Sequence, residues 1–338
     1  MTPGRALWSL VLIGPAACAT PVEPEPVLVV RPAPRVAPAL VAAEAGETPA
    51  LLASEYYGDA DLAWLIEDAN NWTTGPHAAI TLGAPVLIPD PETVAFNGRT
   101  SDGLQTVPIL CYHRFRAGPY RGDRLELAAA DFEAQIRYLL EHGYRVVTLK
   151  ALTDALTQGA PLPRRAVVIT IDDGFRSVYE VGFPVLQRYQ VPATLYIYSD
   201  FIGAPAAVDW DEIAEMAQSG LIDVQAHSKT HGDLTRQIDE TEAAHAARLE
   251  REFAAPARMI AEKLGADAHG FSYPYGAVDA FAAQRAAEFG YKTAVTVSRG
   301  ANPPYADPMT LRRDMVFGDH SLDDFAKFLD VVREAAGS

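Results

Sequence analysis

The chain has 338 residues, 49% apolar and 21% charged, which is enough apolar material to bury a sizeable core and excludes a wholly disordered protein. A formal net charge of -16 repels phosphate backbones, so nucleic acid is excluded as a natural partner and a neutral or basic one is favoured. At a prior of about 150 residues per domain, the length predicts two folded units.

At the N-terminus, Arg5 supplies a positive start, residues 7–13 a short apolar stretch, and Ala16, Ala17 and Cys18 a small-residue cleavage region. This is the pattern of an export signal over residues 1–20, too short to span a bilayer permanently. Its ending resembles a bacterial lipoprotein signal, in which the cysteine is acylated after cleavage, although Pro15 stands where Leu is usual. The expected location is therefore the periplasm or cell surface. Attachment to the membrane is expected only through a lipid at Cys18, and an ordinary cleaved signal is the alternative. Residues 21–39 are dense in Pro, Glu, Ala and Val without helical or strand period, as an extended spacer is.

Residues 40–91 carry two helical patterns, one through Leu52, Tyr56 and Tyr57 and one through Leu62, Leu65 and Ile66, parted by a turn at Gly58 and Asp59. A turn at Gly83 and a short apolar strand ending at Pro89 close the unit. Together with Trp64 and Asn70, these features resemble a LysM domain, a small α+β module of two helices on two strands. The resemblance implies binding to glycans containing N-acetylglucosamine, including peptidoglycan; a small packing unit without a ligand is the alternative. Residues 92–106, with Gly98 and Gly103 among polar neighbours, are expected to be a linker.

From 107 to 338 the sequence alternates strands and helices. Short, partly β-branched apolar runs at 107–112, 146–149, 167–171, 193–197, 222–226 and 293–297 have the composition of buried parallel strands. Cys111 lies in the first run and reads as a buried core residue rather than half of a disulfide. A helix is predicted over 131–142, with Phe132, Ile136, Leu139 and Leu140 on one face and Gly143 as its stop. This pattern predicts an α/β fold in the form of a distorted, incomplete (β/α) barrel, since fewer than eight strands are clearly written.

Asp172 and Asp173 follow the run 167–171 directly, and a buried strand has no use for two adjacent carboxylates. Both can serve one site only if the chain turns there, which Gly174 permits; a bound cation would then relieve their repulsion. His227 and His231 follow the run 222–226, and two His four residues apart on one helical turn can grip a single metal ion. Both pairs sit at strand ends on the face where barrel enzymes place their active sites. Phe271, Ser272, Tyr273, Pro274, Tyr275 and Gly276 form a strand running into a sharp turn that can aim the Tyr275 N–H at an oxygen gaining charge. His113 follows the first run and can line the same face, a structural histidine being the alternative. The acidic run 239–252 reads as a solvated helical face.

In this order and spacing these segments, with the stretch Phe175, Arg176, Ser177, Val178 and Tyr179 and the later Val191, Pro192, Ala193 and Thr194, resemble the polysaccharide deacetylases of carbohydrate esterase family four, the NodB-homology domain. The resemblance implies that Asp173, His227 and His231 hold a divalent metal, zinc first, that Asp172 is the general base and that the Tyr275 N–H stabilises the oxyanion. It implies removal of N-acetyl groups from glycan containing N-acetylglucosamine, either peptidoglycan or exopolysaccharide. Pro274, Tyr275 and Trp210 are the expected substrate contacts. Two positions depart from the family pattern. Ser272 stands where many members have an Arg that orients the base, with Arg313 as the candidate replacement; poly-N-acetylglucosamine deacetylases lack that Arg too. The late Leu-x-x-His motif is not recognisable, leaving His320 as a candidate acid although it reads as part of a helix start capped by Ser321. A glycan-binding protein without activity and an O-acetyl esterase are the rival readings.

Overall fold

The computed structural model describes residues 39–329 apart from 71, 73–74, 90–98 and 101–102, together with 332–333. The expected export signal, Cys18 and nearly all of the spacer lie outside the described residues. Among the described residues no helix is long and apolar enough to cross a membrane.

The first unit is a β-α-α-β arrangement. Strand β1 (Ala39–Ala42) pairs antiparallel with β2 (Pro85–Ile88), Ala39 opposite Ile88. Helix α1 (Pro49–Tyr57) starts where the Thr48 side chain accepts from Leu51 N and Pro49 occupies the first turn; it ends at Gly58, whose φ of 76° only glycine adopts cheaply. Helix α2 (Ala63–Ala69) follows, and the Asn70 side chain then fastens it to β2, accepting from Leu87 N and donating to Leu87 O. Leu52, Ala53, Ile66, Val86 and Ile88 form the core between helices and strands.

Eight strands build the second unit: β3 (Ile109–Tyr112), β4 (Arg145–Val147), β5 (Ala166–Ile171), β6 (Ala193–Ile197), β7 (Ile222–Ala226), β8 (Gly270–Ser272), β9 (Thr293–Val295) and β10 (Asp314–Met315). They form one sheet in the order β9-β8-β7-β6-β5-β3-β10, with β4 also on β5, and every pair is parallel. Parallel strands need covering on both faces, and the all-buried patterns of β3, β5 and β6 meet that need. The segment 311–315 lies across the gap between the two edge strands. Leu311 bridges Val295 of β9, and three residues later Asp314 pairs with Leu110 of β3. The barrel is thus closed by only a few hydrogen bonds, and β10, with two residues, is too short to be read from periodicity.

Helices α3 (Ala129–Glu141), α4 (Leu149–Gln158), α5 (Phe183–Tyr189), α6 (Trp210–Gln218), α7 (Glu242–Leu264), α8 (Ala280–Phe289) and α9 (Leu322–Ala326) follow in order. Phe132, Ile136 and Leu139 of α3 are fully buried, whereas Leu140, expected on the same face, is left 43% exposed. Burial of each large apolar side chain contributes about 1.5–3 kcal/mol. Two expectations need correction. Part of the stretch read as linker is paired, since Gly103–Gln105 takes Arg99–Thr100 on one side and Val332–Arg333 on the other. The acidic run 239–252 is not uniformly solvated: the turns of α7 bring Glu252 onto the buried stripe of Leu249, Phe253 and Ile260. The two units meet at Arg145 of β4, whose guanidinium lies 3.0 Å from the buried Glu67 carboxylate of α2.

Candidate active site

The C-terminal ends of β3, β5, β7 and β8 converge on one polar cluster inside an apolar barrel. Asp172 continues β5, its N–H donating to Tyr112 O at 2.9 Å, and the chain then turns through Asp173 (φ 77°) and Gly174 (φ 82°). That turn swings Asp173 to the same side as its neighbour. Of the six non-glycine residues with positive φ among the described residues, Asp173, Ser228, His231 and Tyr275 lie here, so backbone strain is concentrated at this site.

Asp172 is buried and held by Arg313, which projects from the closing segment into the barrel. The guanidinium grips the carboxylate bidentately, Nη1 to Oδ1 at 2.7 Å and Nη2 to Oδ2 at 2.6 Å. It also donates through Nη1 to Thr170 Oγ1 at 3.1 Å, through Nη2 to Ser272 Oγ at 2.9 Å and through Nε to Thr296 O at 2.8 Å. All five N–H groups are thereby used, which is what a fully buried guanidinium requires. Ser272 Oγ in turn donates to Asp172 Oδ2 at 3.1 Å. Ser272 thus stands beside an arginine that reaches the acid from the closing segment, the residue named above as the candidate replacement. Burial alone would raise the Asp172 pKa, but Arg313 and His227 outweigh it and hold the carboxyl down at about 2.

Beside it, Asp173 Oδ1 lies 3.4 Å from His227 Nε2 and 3.2 Å from His231 Nε2. The other ring nitrogens are occupied: His227 Nδ1 meets Ser272 O at 2.7 Å, and His231 Nδ1 meets the Tyr275 hydroxyl at 3.2 Å. A carbonyl only accepts, so His227 Nδ1 carries the proton and its Nε2 presents a lone pair toward Asp173. Burial pushes the Asp173 pKa up, yet the two imidazoles beside it outweigh that and hold it well below the usual carboxylate range. The buried Oδ1 still makes no hydrogen bond of good geometry. Three ligand atoms converging within 4.8 Å, one of them an orphaned buried oxygen, fit a divalent cation.

The two histidines do not share a helical turn, contrary to expectation. His227 is the first residue past β7, and the chain then runs irregularly through Ser228 (φ 71°) to His231 (φ 60°), with His231 N–H closing onto Ser228 Oγ at 2.9 Å. A tight loop with left-handed residues brings the rings together where a helix would have spaced them along one side.

Pro274 and Tyr275 form a tight turn after β8, closed by Gly276 N–H on Tyr273 O and Ala277 N–H on Pro274 O. Pro274 is buried and the Tyr275 side chain stands out at 68% exposed. His113 joins the cluster, a ring nitrogen of His113, Cys111 Sγ and an Asp172 oxygen all lying within 4.8 Å of one another. Burial holds the His113 pKa below its ordinary value, against the pull of Asp172 and Asp173. His320 is held elsewhere: Phe317 N–H donates to its Nδ1 at 3.2 Å and its ring packs on Phe317 and Phe328 beside the capping box of Ser321. Trp210 opens α6, half-buried against the apolar core. Sequence reasoning missed the hydroxyls of Thr170 and Ser272 as partners of the buried guanidinium, because hydroxyls near strand ends carry no distinctive signal. It also missed Glu252, although a charge on an apolar helical stripe is a readable one.

A family profile described as Polysaccharide deacetylase matches residues 159–294. The chain is 30% identical over 231 residues to the Bacillus subtilis (strain 168) protein named as the polysaccharide deacetylase YxkH, covering 67% of this chain and 77% of that one. It is 27% identical over 236 residues to the Escherichia coli (strain K12) poly-beta-1,6-N-acetyl-D-glucosamine N-deacetylase, covering 59% of this chain but only 35% of that enzyme. Among solved structures, IcaB from Ammonifex degensii superposes with a TM-score of 0.59 at 26% identity, over 67% of this chain and 98% of that one. The Streptococcus pyogenes deacetylase PplD, solved with acetate, shares the fold with a TM-score of 0.60 at 21% identity, over 67% of this chain and 98% of that one.

Proposed function

The chain belongs to the polysaccharide deacetylase family, and we propose on that footing that it hydrolyses the N-acetyl groups of poly-N-acetylglucosamine exopolysaccharide. The observation that carries the reading is the adjacency of two differently equipped carboxylates, Asp172 locked to Arg313 and Asp173 facing two imidazoles. The exopolysaccharide rather than peptidoglycan is favoured by Ser272 in place of the family Arg and by relatives named for poly-beta-1,6-N-acetyl-D-glucosamine.

A divalent cation held by Asp173, His227 and His231, for which zinc suits a set of two imidazoles and one carboxylate, would supply an acidified water and polarise the acetyl carbonyl. Asp172 takes the proton from the attacking water. Because its pKa is about 2, it passes that proton on rather than keeping it. His113, beside it, is the group to which we assign delivery of a proton to the leaving nitrogen; His320, tied to Phe317 and Phe328, is not needed for that role. The Tyr275 N–H donates to the carbonyl oxygen as it gains charge. Water adds to the carbonyl carbon, the C–N bond breaks, and acetate and a free amine leave. The β-α-α-β unit is read as a LysM-like module that retains the glycan, and the chain as an exported protein.

The test is acetate release by the full chain, stripped of metal and reloaded with zinc, from β-1,6-linked N-acetylglucosamine oligomers and from peptidoglycan. Release that needs zinc, favours the oligomers, and falls at least about 100-fold in Asp172→Asn and in His113→Asn is expected. Retention of glycan without any acetate would overturn the enzyme reading in favour of a binding protein.

A further inference from the structure

Glu252 is only 7% exposed although it lies in the middle of α7, a helix otherwise rich in solvent-facing charge. Its carboxylate is fully engaged by the loop that carries the histidines. Oε2 accepts from Lys229 N–H at 2.9 Å and from Thr230 N–H at 2.9 Å, and Oε1 accepts from the Thr230 hydroxyl at 2.9 Å. Hydrogen bonds to a charged acceptor are roughly twice as strong as neutral ones. Here three of them fall on Lys229 and Thr230, the two residues between Ser228 and His231, and it is those flanking residues that are in left-handed backbone.

The loop needs such a hold. It has no regular backbone ladder, and apart from Glu252 it is tied by Ser199 N–H to Ser228 O at 3.2 Å, Asp200 N–H to Lys229 O at 3.0 Å and His231 N–H to Ser228 Oγ at 2.9 Å. Lys229 Nζ reaches outward to Asp200 at 2.6 Å and contributes nothing to the inner face. With Lys229 and Thr230 released from Glu252, the flanking Ser228 (φ 71°) and His231 (φ 60°) lose what holds them in left-handed backbone, and the His231 ring would move off Asp173. Groups behind metal ligands that fix their orientation typically change metal affinity about 10- to 100-fold when removed.

Resting on the reading of Asp173, His227 and His231 as the metal triad, we infer that Glu252 is a positioning residue that sets the geometry of the metal-binding loop. It touches neither substrate nor metal ligand side chains. The inference differs from a stability role in its readout: a residue that merely holds α7 to the barrel lowers the unfolding temperature without altering the metal affinity of the folded protein.

The experiment measures the zinc Kd of the full-length protein by competition with a chromogenic chelator, alongside kcat and KM and a thermal melt. In Glu252→Ala the zinc Kd is expected to weaken about 10- to 100-fold, with kcat at saturating zinc reduced and KM little changed. Glu252→Gln keeps an oxygen for the two backbone N–H groups and an amide N–H for the Thr230 oxygen, so it is expected to stay within about fivefold. If Glu252→Ala does not fold, Thr230→Val, which removes one bond at constant shape, carries the decision with an expected threefold to tenfold weakening. A zinc Kd unchanged within twofold in the folded Glu252→Ala, or in Thr230→Val where the alanine variant is lost, overturns the inference. Zinc binding that Asp173→Ala leaves intact overturns the reading of the triad and the positioning role with it.

Discussion

Arg313 and Asp172 form a fully buried ion pair in which every guanidinium N–H has a partner, and removing one member of such a pair is far costlier than replacing both. Arg313→Met is therefore expected to destabilise the protein by about 3–5 kcal/mol at neutral pH, read from urea midpoints. The pH dependence follows from the sign of the shift. The Asp172 pKa in the folded protein, about 2, lies below its ordinary value of 3.8, so the ionised carboxylate contributes stability that is complete above about pH 4 and lost as pH falls through 2. In Arg313→Met burial is opposed only by the neighbouring His227 and His113, so the Asp172 pKa rises from its value of about 2, and the deficit is expected to be largest near neutrality and to shrink below pH 4. A deficit independent of pH would show that the pair does not control the Asp172 charge. Asp172, Asp173 and His227 were legible in the sequence because each stands just past an apolar run where a polar residue has no packing role, and His231 was legible from its spacing of four from His227. Arg313 was legible only as a substitute for a missing arginine, because the contact joins residues 141 positions apart. Glu252 was legible only by its place on the apolar stripe of Leu249, Phe253 and Ile260, and not by its charge among neighbouring acids.

At the level of elements, the turn after β8 is the tightest constraint around the site. Gly276 has φ 69°, and a Cβ there would lie 2.6 Å from both Val297 N and Val297 Cγ2. Gly276→Ala is expected to cost about 1–3 kcal/mol from the backbone conformation alone. It should also lower kcat at least about tenfold, because the clash pushes the turn and swings the Tyr275 N–H off its line. Acetate release with unchanged kcat would mean that this N–H does not serve the reaction. The long strands and α3 were readable within two residues, since burial imposes a strong composition or period on them. The two-residue strand β10 owes its existence to its partner across the sheet, and no local pattern announces it. The histidine loop was misread for a related reason: spacing of four fits a helix, whereas Ser228 and His231 adopt left-handed φ values that tertiary contacts enforce.

For the molecule as a whole, the β-α-α-β unit is joined to the barrel by the Arg145 and Glu67 pair, with Glu67 just 1% exposed. Arg145→Glu sets two anions against each other at the seam, and a loss of about 2–3 kcal/mol is expected. It should appear as an earlier, separate unfolding step of residues 39–89 in hydrogen exchange, with acetate release from short oligomers unchanged within twofold. A single undivided transition at the original temperature would show that the seam is held elsewhere. The segment 311–315 has a further consequence, because closing the barrel and delivering Arg313 to Asp172 are one event. During synthesis Asp172 emerges 141 residues ahead of its partner, which at about 5–20 residues per second is an interval of roughly 7–30 s. For that time the nascent barrel is a cleft open to water, its central acid without its counter-ion. The hydrolytic site comes into being only when the last staves of the barrel arrive.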